Sequence, residues 1–302
     1  MKEQIRKLRS SDSSMLWLIA MPGILYFIVF KYGPLLGNVI AFQDYSLFKG
    51  VWGSSFVGWK HFIYMFQYEE FVNLLKNTMI LSFYQIAFGF PAPLLLALLL
   101  NEIRFGLYKR TVQTLLYLPH FLSWVIVGGI FINLLSIDGM VNRLTGFLGL
   151  QSVDFMTNKS FFRGVVVMSS IWKEVGWGMI IYLAAMSAIN PQLYEAAIVD
   201  GAGRWRQMWS ITLPSISPAI ITLFLLGIGN LLDTNVEQML VLLNPLVRPI
   251  GEVIDTYVYR SGLLGAQFSF TTAIGLFKSL IGLTMIVCLN RLSKQLTGSG
   301  LY

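Results

Sequence analysis

Long apolar runs alternate with short polar stretches along the whole chain. Six runs reach the roughly 20 residues that a helix needs to cross the hydrocarbon core of a bilayer. They lie at about 15–33, 78–100, 112–135, 163–187, 216–236 and 269–290. Lipid offers no partner to an open backbone N–H or C=O, so each run is expected to be a helix. Pro22-Gly23 interrupts the first, and Gly89, Pro91 and Pro93 the second. Such breakers kink a helix and need neighbours to cover the carbonyls they free. The expected fold is all-α, a polytopic membrane protein with six transmembrane helices. Residues 1–14 read as an N-terminal tail and 15–302 as a single transmembrane domain.

Composition points the same way. Of 302 residues, 55% are hydrophobic and only 12% charged, against roughly 25% charged in soluble domains. The net charge of +7 would suit a nucleic-acid partner. In a membrane chain it reflects the Lys and Arg that hold topology. One side carries Lys2, Arg6, Lys7, Arg9, Arg104, Lys109, Arg110, Arg204, Arg206, Arg291 and Lys294 in short segments. The other carries Lys31, Lys49, Lys60, Lys76, Arg143, Lys159, Arg163, Arg248 and Arg260, spread over longer loops. The denser set places both termini and the 188–215 loop in the cytoplasm. The basic start leads into an apolar run without a small-residue cleavage site, so it reads as a retained first span. The outer loops are rich in aromatics (Phe42, Tyr45, Phe48, Trp52, Phe56, Trp59 and Phe62 in the first). These suit either an interfacial belt or a surface that receives a partner. Cys288 is the single cysteine, which excludes an intrachain disulfide and a Cys-based metal site.

The 188–215 loop is polar and broken by glycine. Asn190-Pro191 can start a helix, with Asn as N-cap and Pro in the first turn. Glu195 would then lie near its positive end. Leu193, Ala197 and Gly201 follow at helical spacing along one ridge, and two of the three are small enough for close approach. Gly201 and Gly203 permit a bend. A second short helix is expected from Arg204 to about Ser210, with Leu213-Pro214 and Ser217-Pro218 leading into the fifth span. On residues alone two readings stay open. The hairpin could rest on lipid headgroups through Trp205, Trp209 and its arginines, or it could dock a partner.

The pattern Glu195-Ala196-Ala197, Asp200-Gly201-Ala202, Ile211 and Leu213-Pro214 resembles, in residue type and spacing, the EAA loop of the membrane subunits of bacterial ABC importers. Trp177-Gly178-Met179, Tyr182-Leu183-Ala184-Ala185, Asn244-Pro245 and Ala273-Ile274-Gly275-Leu276-Phe277-Lys278 are similar to the sugar-importing branch, in the style of the group handling complex oligosaccharides. Asn235-Val236-Glu237-Gln238 departs from the Phe-Asp-Gln-like triplet of many relatives. The resemblance implies a type I permease in the bacterial cytoplasmic membrane, passing an oligosaccharide by alternating access. It implies a second homologous permease, two ATPase subunits and an extracytoplasmic solute-binding protein as partners, in a lipid bilayer and without nucleic acid. The ATPase would dock on Glu195, Ala196, Ala197, Asp200, Gly201, Ala202, Arg204, Leu213 and Pro214. This chain has no P-loop, so ATP and Mg are expected on the partner. The chain itself is expected to hold no cofactor, no metal and no catalytic residue.

Charged groups at membrane depth cost at least ~2.5 kcal/mol and usually face a cavity. Lys173, Glu174, Asp233 and Lys278 fall inside the predicted spans, with Tyr84, Gln85, Trp172, Trp177, Asn230 and Asn235. Together they read as a sugar pathway, hydroxyl-matching groups beside aromatic rings, and the two lysines would suit an acidic sugar such as a uronate. The same residues also read as structural pairs, Glu174 and Asp233 each neutralising a lysine. His61 and His120 read as isolated packed or interfacial side chains. An ion-coupled secondary transporter using Glu174 or Asp233 is the competing function, but it leaves the 195–214 loop unexplained. A membrane-embedded enzyme would need a nucleophile–base set or metal cluster, which two scattered histidines and one cysteine do not offer.

Overall fold

The computed structural model describes residues 2–297. Met1 of the expected tail and residues 298–302 of the expected domain lie outside the described residues. So do the side chains of Lys2, Arg6, Lys7 and Arg9, on which the topology expectation leans.

Helix α1 (Lys2–Phe27) starts well before the first apolar run and contains Pro22. It passes through a wider turn (Ile28–Tyr32) into a tight helix (Gly33–Phe42). A two-stranded antiparallel ribbon follows, β1 (Gln43–Asp44) against β2 (Ser55–Phe56), in the register Gln43 opposite Phe56. The helices after it are α2 (Lys60–Gln67), α3 (Glu69–Tyr84), α4 (Pro91–Asn101), α5 (Gly106–Tyr117), α6 (Trp124–Leu135), α7 (Met140–Phe147) and α8 (Lys159–Ser187). Then come α9 (Pro191–Val199), α10 (Arg204–Gly229), α11 (Val236–Leu242), α12 (Ile254–Tyr257) and α13 (Phe268–Thr297). Six helical stretches are long and apolar enough to cross a membrane. The six expected transmembrane helices are therefore present, with shifted bounds.

Three shifts have clear causes. The second span starts at Glu69, nine residues before the apolar run. Its first turn is acidic, with Glu69 and Glu70, and carboxylates favour a helix N-terminus. The run expected as one helix over 112–135 is two helices, α5 and α6, joined by a tight turn at Leu118–Phe121. Pro119 has no N–H to continue the ladder, and the Ser123 side chain accepts from Ile126 N and starts α6 afresh. The fifth span was expected over 216–236, but α10 runs from Arg204 to Gly229 and then gives way to a turn at 230–235. Asn230, Asp233 and Asn235 thus lie beyond the end of the helix rather than in it. The short helix expected at 204–210 is the beginning of α10, entered through a wide turn at Met208–Thr212.

The chain forms two compact units. In the unit made of 1–67 and 261–276, Phe42, Trp59 and Phe62 form an aromatic cluster with ring centroids 5.1–5.4 Å apart. His61 Nε2 lies 3.1 Å from Asp44 Oδ1, so His61 is not isolated as expected; the β-ribbon bend brings the two together. Lys60 donates to the other Asp44 oxygen at 2.7 Å, and this hydrogen bond holds the Asp44 carboxyl below its usual range.

In the unit made of 68–260 and 277–302, α8 is the central element. One apolar core joins Phe162, Val165, Val166 and Val167 of α8 to Leu81, Met239, Leu242, Val247 and Val253. A second joins Met179, Tyr182 and Met186 of α8 to Ala97, Leu98, Leu100 and Ile216. Buried polar bonds pin the irregular 249–254 segment. Asn77 donates to Pro249 O and Glu252 O at 3.0 and 3.1 Å, and Arg163 donates to Asn77 Oδ1 and Ile250 O at 2.8 and 3.1 Å.

Gly176 lets α8 lie against the backbone of α5. A Cβ there would collide with Leu116 O, whereas a Cβ on Gly164 of the same helix meets nothing within 4 Å. Gly176→Ala should therefore lower the Tm of the purified protein by at least several degrees and reduce its yield. Gly164→Ala should be neutral or stabilising by up to about 1 kcal/mol, as expected for an open helical glycine. Equal Tm values for the two variants would contradict the close contact.

Candidate transport cavity and loop

The middle of α8 carries the charges. Lys173 and Glu174 lie about 20 Å from either end of a 29-residue helix at 1.5 Å per residue. Lys173 is buried and donates through Nζ to His120 O at 2.6 Å, with Glu174 Oε1 at 3.7 Å. Its Nζ also sits 5.6 Å from the centre of the Trp124 ring. Glu174 Oε2 lies 2.7 Å from His120 Nδ1, and the imidazole stacks on Trp177 at 4.6 Å with 5° between the planes. His120, expected to be isolated, is thus part of a five-residue cluster. It sits on the turn that Pro119 makes, which brings residues some fifty positions apart into contact. No sequence spacing could have announced this.

A second cluster surrounds Lys278 on α13. Its Nζ bonds Asp233 Oδ1 at 2.6 Å and also Asp255 Oδ1. Asp255 Oδ2 accepts in turn from Thr234 N and Oγ1, at 2.8 and 3.0 Å. Asp255 escaped the sequence reading because α12 is a four-residue helix outside every apolar run. Both intramembrane lysines are therefore held by carboxylates.

Between these clusters lies a cavity of about 450 Å3. Gln85, Glu174, Trp177, Asn230, Asp233 and Asn235 line it, and so do Ser170 and Gln238, which the sequence did not single out for the pathway. Gln85 donates to Ser170 Oγ at 2.9 Å, and Gln238 donates to Val166 O and Ser169 Oγ at 2.7 and 3.0 Å. The Asn235 side chain accepts from Gln238 N at 3.0 Å and caps α11. Lys173 and Lys278 stand outside the lining residues. Tyr84 and Trp172 also lie away from the cavity; Tyr84 packs against the apolar core, and Trp172 contacts Phe131.

The loop after α8 folds as a helix and a turn. Asn190 caps α9 by accepting from Gln192 N at 3.0 Å, with Pro191 in its first turn. Glu195 falls in the second turn, past the strongest part of the helix dipole expected to hold it. α9 ends at Val199 with Gly201 N donating to Ile198 O and Ala202 N to Ala197 O, at 3.0 and 2.8 Å. This is the glycine-based helix stop in which the residue at Gly201 must be left-handed, and its φ is +75°. Gly201 is therefore off the ridge of Leu193 and Ala197. It is small for its backbone conformation, since a Cβ would meet nothing within 4 Å. Gly203 has φ −68° and no such requirement. Glu195, Ala196 and Asp200 are exposed, as are the apolar Leu193, Ile198 and Val199. The turn is tied to α10 by Gln207 Nε2 to Ala202 O at 2.8 Å, and α9 by Tyr194 Oη to Thr212 Oγ1 at 2.9 Å. Arg204 faces Glu102 at 3.8 Å. Leu213 and Pro214 lie within α10 rather than leading into it.

Residues 89–297 match the family described as the binding-protein-dependent transport system inner membrane component. The chain is 50% identical over 288 residues to the polygalacturonan/rhamnogalacturonan transport system permease protein YteP of Bacillus subtilis (strain 168), covering 95% of this chain and 90% of that one. It also resembles a crystal structure of a bacterial ABC transporter involved in the import of the acidic polysaccharide alginate. There the TM-score is 0.88 and the identity 39%, over 97% of this chain and 99% of the other. A second crystal structure, of a bacterial alginate ABC transporter in complex with an alginate pentasaccharide-bound periplasmic protein, matches with TM-score 0.89 and 40% identity, over 96% and 98% of the two chains.

The two ion clusters predict unequal effects of mutation. Lys278→Met leaves two aspartates without their cation and should cost about 3 kcal/mol of stability. Asp233→Asn removes a partner that is 62% exposed and should cost under about 1 kcal/mol. Thermal unfolding of the two variants in detergent checks this, and a milder effect from Lys278→Met would contradict the pairing.

Proposed function

We propose that this chain, which belongs to the family of binding-protein-dependent transport system inner membrane components, is the permease subunit of an ATP-driven oligosaccharide importer whose 188–215 loop receives the ATPase. The observation that carries this reading is α9. It is a short, exposed helix with apolar residues on its surface and the Glu195-Ala196-Ala197 pattern in its second turn. A glycine-dependent stop ends it just before a spanning helix. An apolar surface of this kind on a polar loop marks a partner.

The remaining parts follow from the same reading. Both termini and the 188–215 loop face the cytoplasm, supported by the denser lysines and arginines on that side. A second, homologous permease completes the pathway, two ATPase subunits supply ATP and Mg, and an extracytoplasmic solute-binding protein delivers the sugar. The periplasmic protein present in the alginate transporter structure supports that last partner. The chain is a conduit without catalytic residues or a cofactor of its own. Tyr84, Trp172, Lys173 and Lys278 leave the proposed sugar path, because they stand away from the cavity. Gln85, Ser170, Glu174, Trp177, Asn230, Asp233, Asn235 and Gln238 form it. The relatives' cargoes, polygalacturonan, rhamnogalacturonan and alginate, support an acidic oligosaccharide. Ion-coupled transport loses ground, since Glu174 and Asp233 are already engaged by His120, Lys173 and Lys278.

Gly201→Val tests the joint. A β-branched residue is a strong outlier at positive φ, so the variant should bind less ATPase on co-purification and lose at least tenfold of ATP-driven oligosaccharide uptake. Gly203→Ala, at an ordinary φ, should keep both. Normal assembly and uptake in Gly201→Val would defeat the coupling role.

A further inference from the structure

On the proposed acidic-oligosaccharide reading, a sugar in the cavity can be held only by polar atoms that the protein leaves unpaired. Two glutamines anchor there on neighbouring serines of α8. Gln85 of α3 donates to Ser170 Oγ at 2.9 Å. Gln238 of α11 donates to Val166 O at 2.7 Å and to Ser169 Oγ at 3.0 Å. The Val166 carbonyl points along α8 toward the turn that holds Ser170, so the Gln238 amide lies beside Ser170. Both amide hydrogens of Gln238 are thereby used. Val166 O can only accept, which fixes the amide nitrogen toward α8 and turns Oε1 away from it. Gln238 is only 4% exposed and lines the cavity. Its Oε1 accepts nothing among the described residues and keeps open surface.

Ser170 supplies the complementary atom. Thr78 and Ser169 turn their hydroxyls back onto their own helices, to Leu74 O and Val166 O. The Ser170 hydroxyl accepts from Gln85, and its own hydrogen has no acceptor among the described residues. Ser82, one turn before Gln85, also lines the cavity, and its buried hydroxyl has no partner either. We infer that Gln238 and Ser170 form a hydroxyl-reading pair, with Gln238 the specificity-determining residue. Gln238 Oε1 accepts from a cargo hydroxyl, and Ser170 Oγ donates to that hydroxyl or to its neighbour on the ring. A pyranose carries hydroxyls on adjacent carbons, each both donor and acceptor, and so satisfies both atoms at once. A carboxylate only accepts and leaves Oε1 unpaired in a buried place, which is costly. A site built to bond a hydroxyl discriminates strongly against a group that cannot supply it. The anchors on Val166 and Ser169 hold the amide before the sugar arrives, so little side-chain freedom is lost on binding. The pair thus recognises what uronates and neutral sugars share.

The test uses the whole transporter in vesicles, with its partner permease, ATPases and binding protein, and trigalacturonate as the probe. The probe's carboxyl groups are ionised at neutral pH, so its hydroxyls are its only donors. The quantity read is sugar imported per ATP hydrolysed, which does not depend on how much transporter assembles. A cargo held poorly in the cavity falls back to the outside while the ATP cycle runs on. Gln238→Met should lower this ratio about threefold to tenfold, the size of one neutral hydrogen bond. Ser170→Ala should lower it by a similar factor. Ser170→Thr keeps the hydroxyl and should keep the wild-type ratio, as should Ser187→Ala at the far end of α8. ATP hydrolysis stimulated by the liganded binding protein should persist in all four variants. If Gln238→Met fails to assemble, the two Ser170 variants decide. An unchanged ratio in Ser170→Ala and in any Gln238→Met that assembles would overturn the inference and leave the importer standing. So would an equal loss in Ser170→Ala and Ser170→Thr, since the hydroxyl would then have no part. A wild type that hydrolyses ATP and imports no trigalacturonate would overturn the acidic-oligosaccharide reading and this inference with it.

Discussion

A helix that breaks at membrane depth exposes backbone groups that lipid cannot satisfy, and the residues around His120 are organised by that need. Pro119 stops α5, and the tight turn after it leaves the carbonyl of His120 open. Lys173, from the middle of α8, donates to it at 2.6 Å. Gly176, one turn along α8, removes the side chain that would hold the two backbones apart. Once the turn is fixed against α8, His120 can reach Glu174 and stack on Trp177. A break, a small residue and a buried cation therefore produce the polar face of the cavity. None of the three would serve without the others.

The architecture was legible where apolarity decides it. Six runs gave six spans, because hydrocarbon thickness and backbone satisfaction leave little choice. Asn190-Pro191 gave the start of α9, because an Asn cap followed by Pro is a local device that needs no partner. Helix bounds were poorly legible wherever helices leave the hydrocarbon: α3 starts nine residues ahead of its apolar stretch, and α10 begins in the loop at Arg204. The break at Pro119 was visible as a proline in an apolar run, but a proline can kink or stop a helix, and only the Ser123 cap settles which. Of the cavity-lining residues, Glu174 and Trp177 stood out in the sequence as a charge and a ring inside an apolar run. Asp255 and the His120 pairing were missed, because they arise from contacts between segments 20 to 50 positions apart. Gly201 was read both as a ridge position and as a bend; its left-handed backbone agrees with the bend and not with the ridge.

The charges around the cavity follow one rule. Removing water from a charge is costly, and pairing offsets that cost without adding much net stability. Lys173 and Lys278, almost fully shielded, each take a carboxylate partner. Glu174 and Asp233, which reach the cavity, keep much of their surface open. The buried half of each pair is structural and the open half is available to a ligand. This division explains why the intramembrane lysines looked like anion receptors in the sequence yet fail to line the cavity. It also leaves a polar, hydroxyl-matching wall without a strong fixed cation, which suits a conduit that must release each sugar as readily as it accepts it.

The loop and the cavity are joined by one continuous helical stretch. α10 begins three residues after Gly201 and ends at Gly229, one residue before Asn230 of the cavity, and over 26 residues it spans about 39 Å. α9 and its turn are bonded to the near end through Ala202, Gln207, Tyr194 and Thr212. At the far end, the Asn230–Asn235 turn carries Asp233, which is held by Lys278, and Thr234, which is held by Asp255. On the proposed reading, a force on α9 need not travel through a diffuse network to reach the cavity. If α10 moves as a rod, the turn at its far end must move with it, and the ion cluster there either follows or parts. The exposed Asp233 is the member whose bond can be lost at least cost, since water can replace Lys278 around it. On the proposed coupling role, the joint that must stay stiff is built from backbone geometry at Gly201, and the one that must give is built from a partly solvated ion pair. Each is made of the interaction whose strength fits its task.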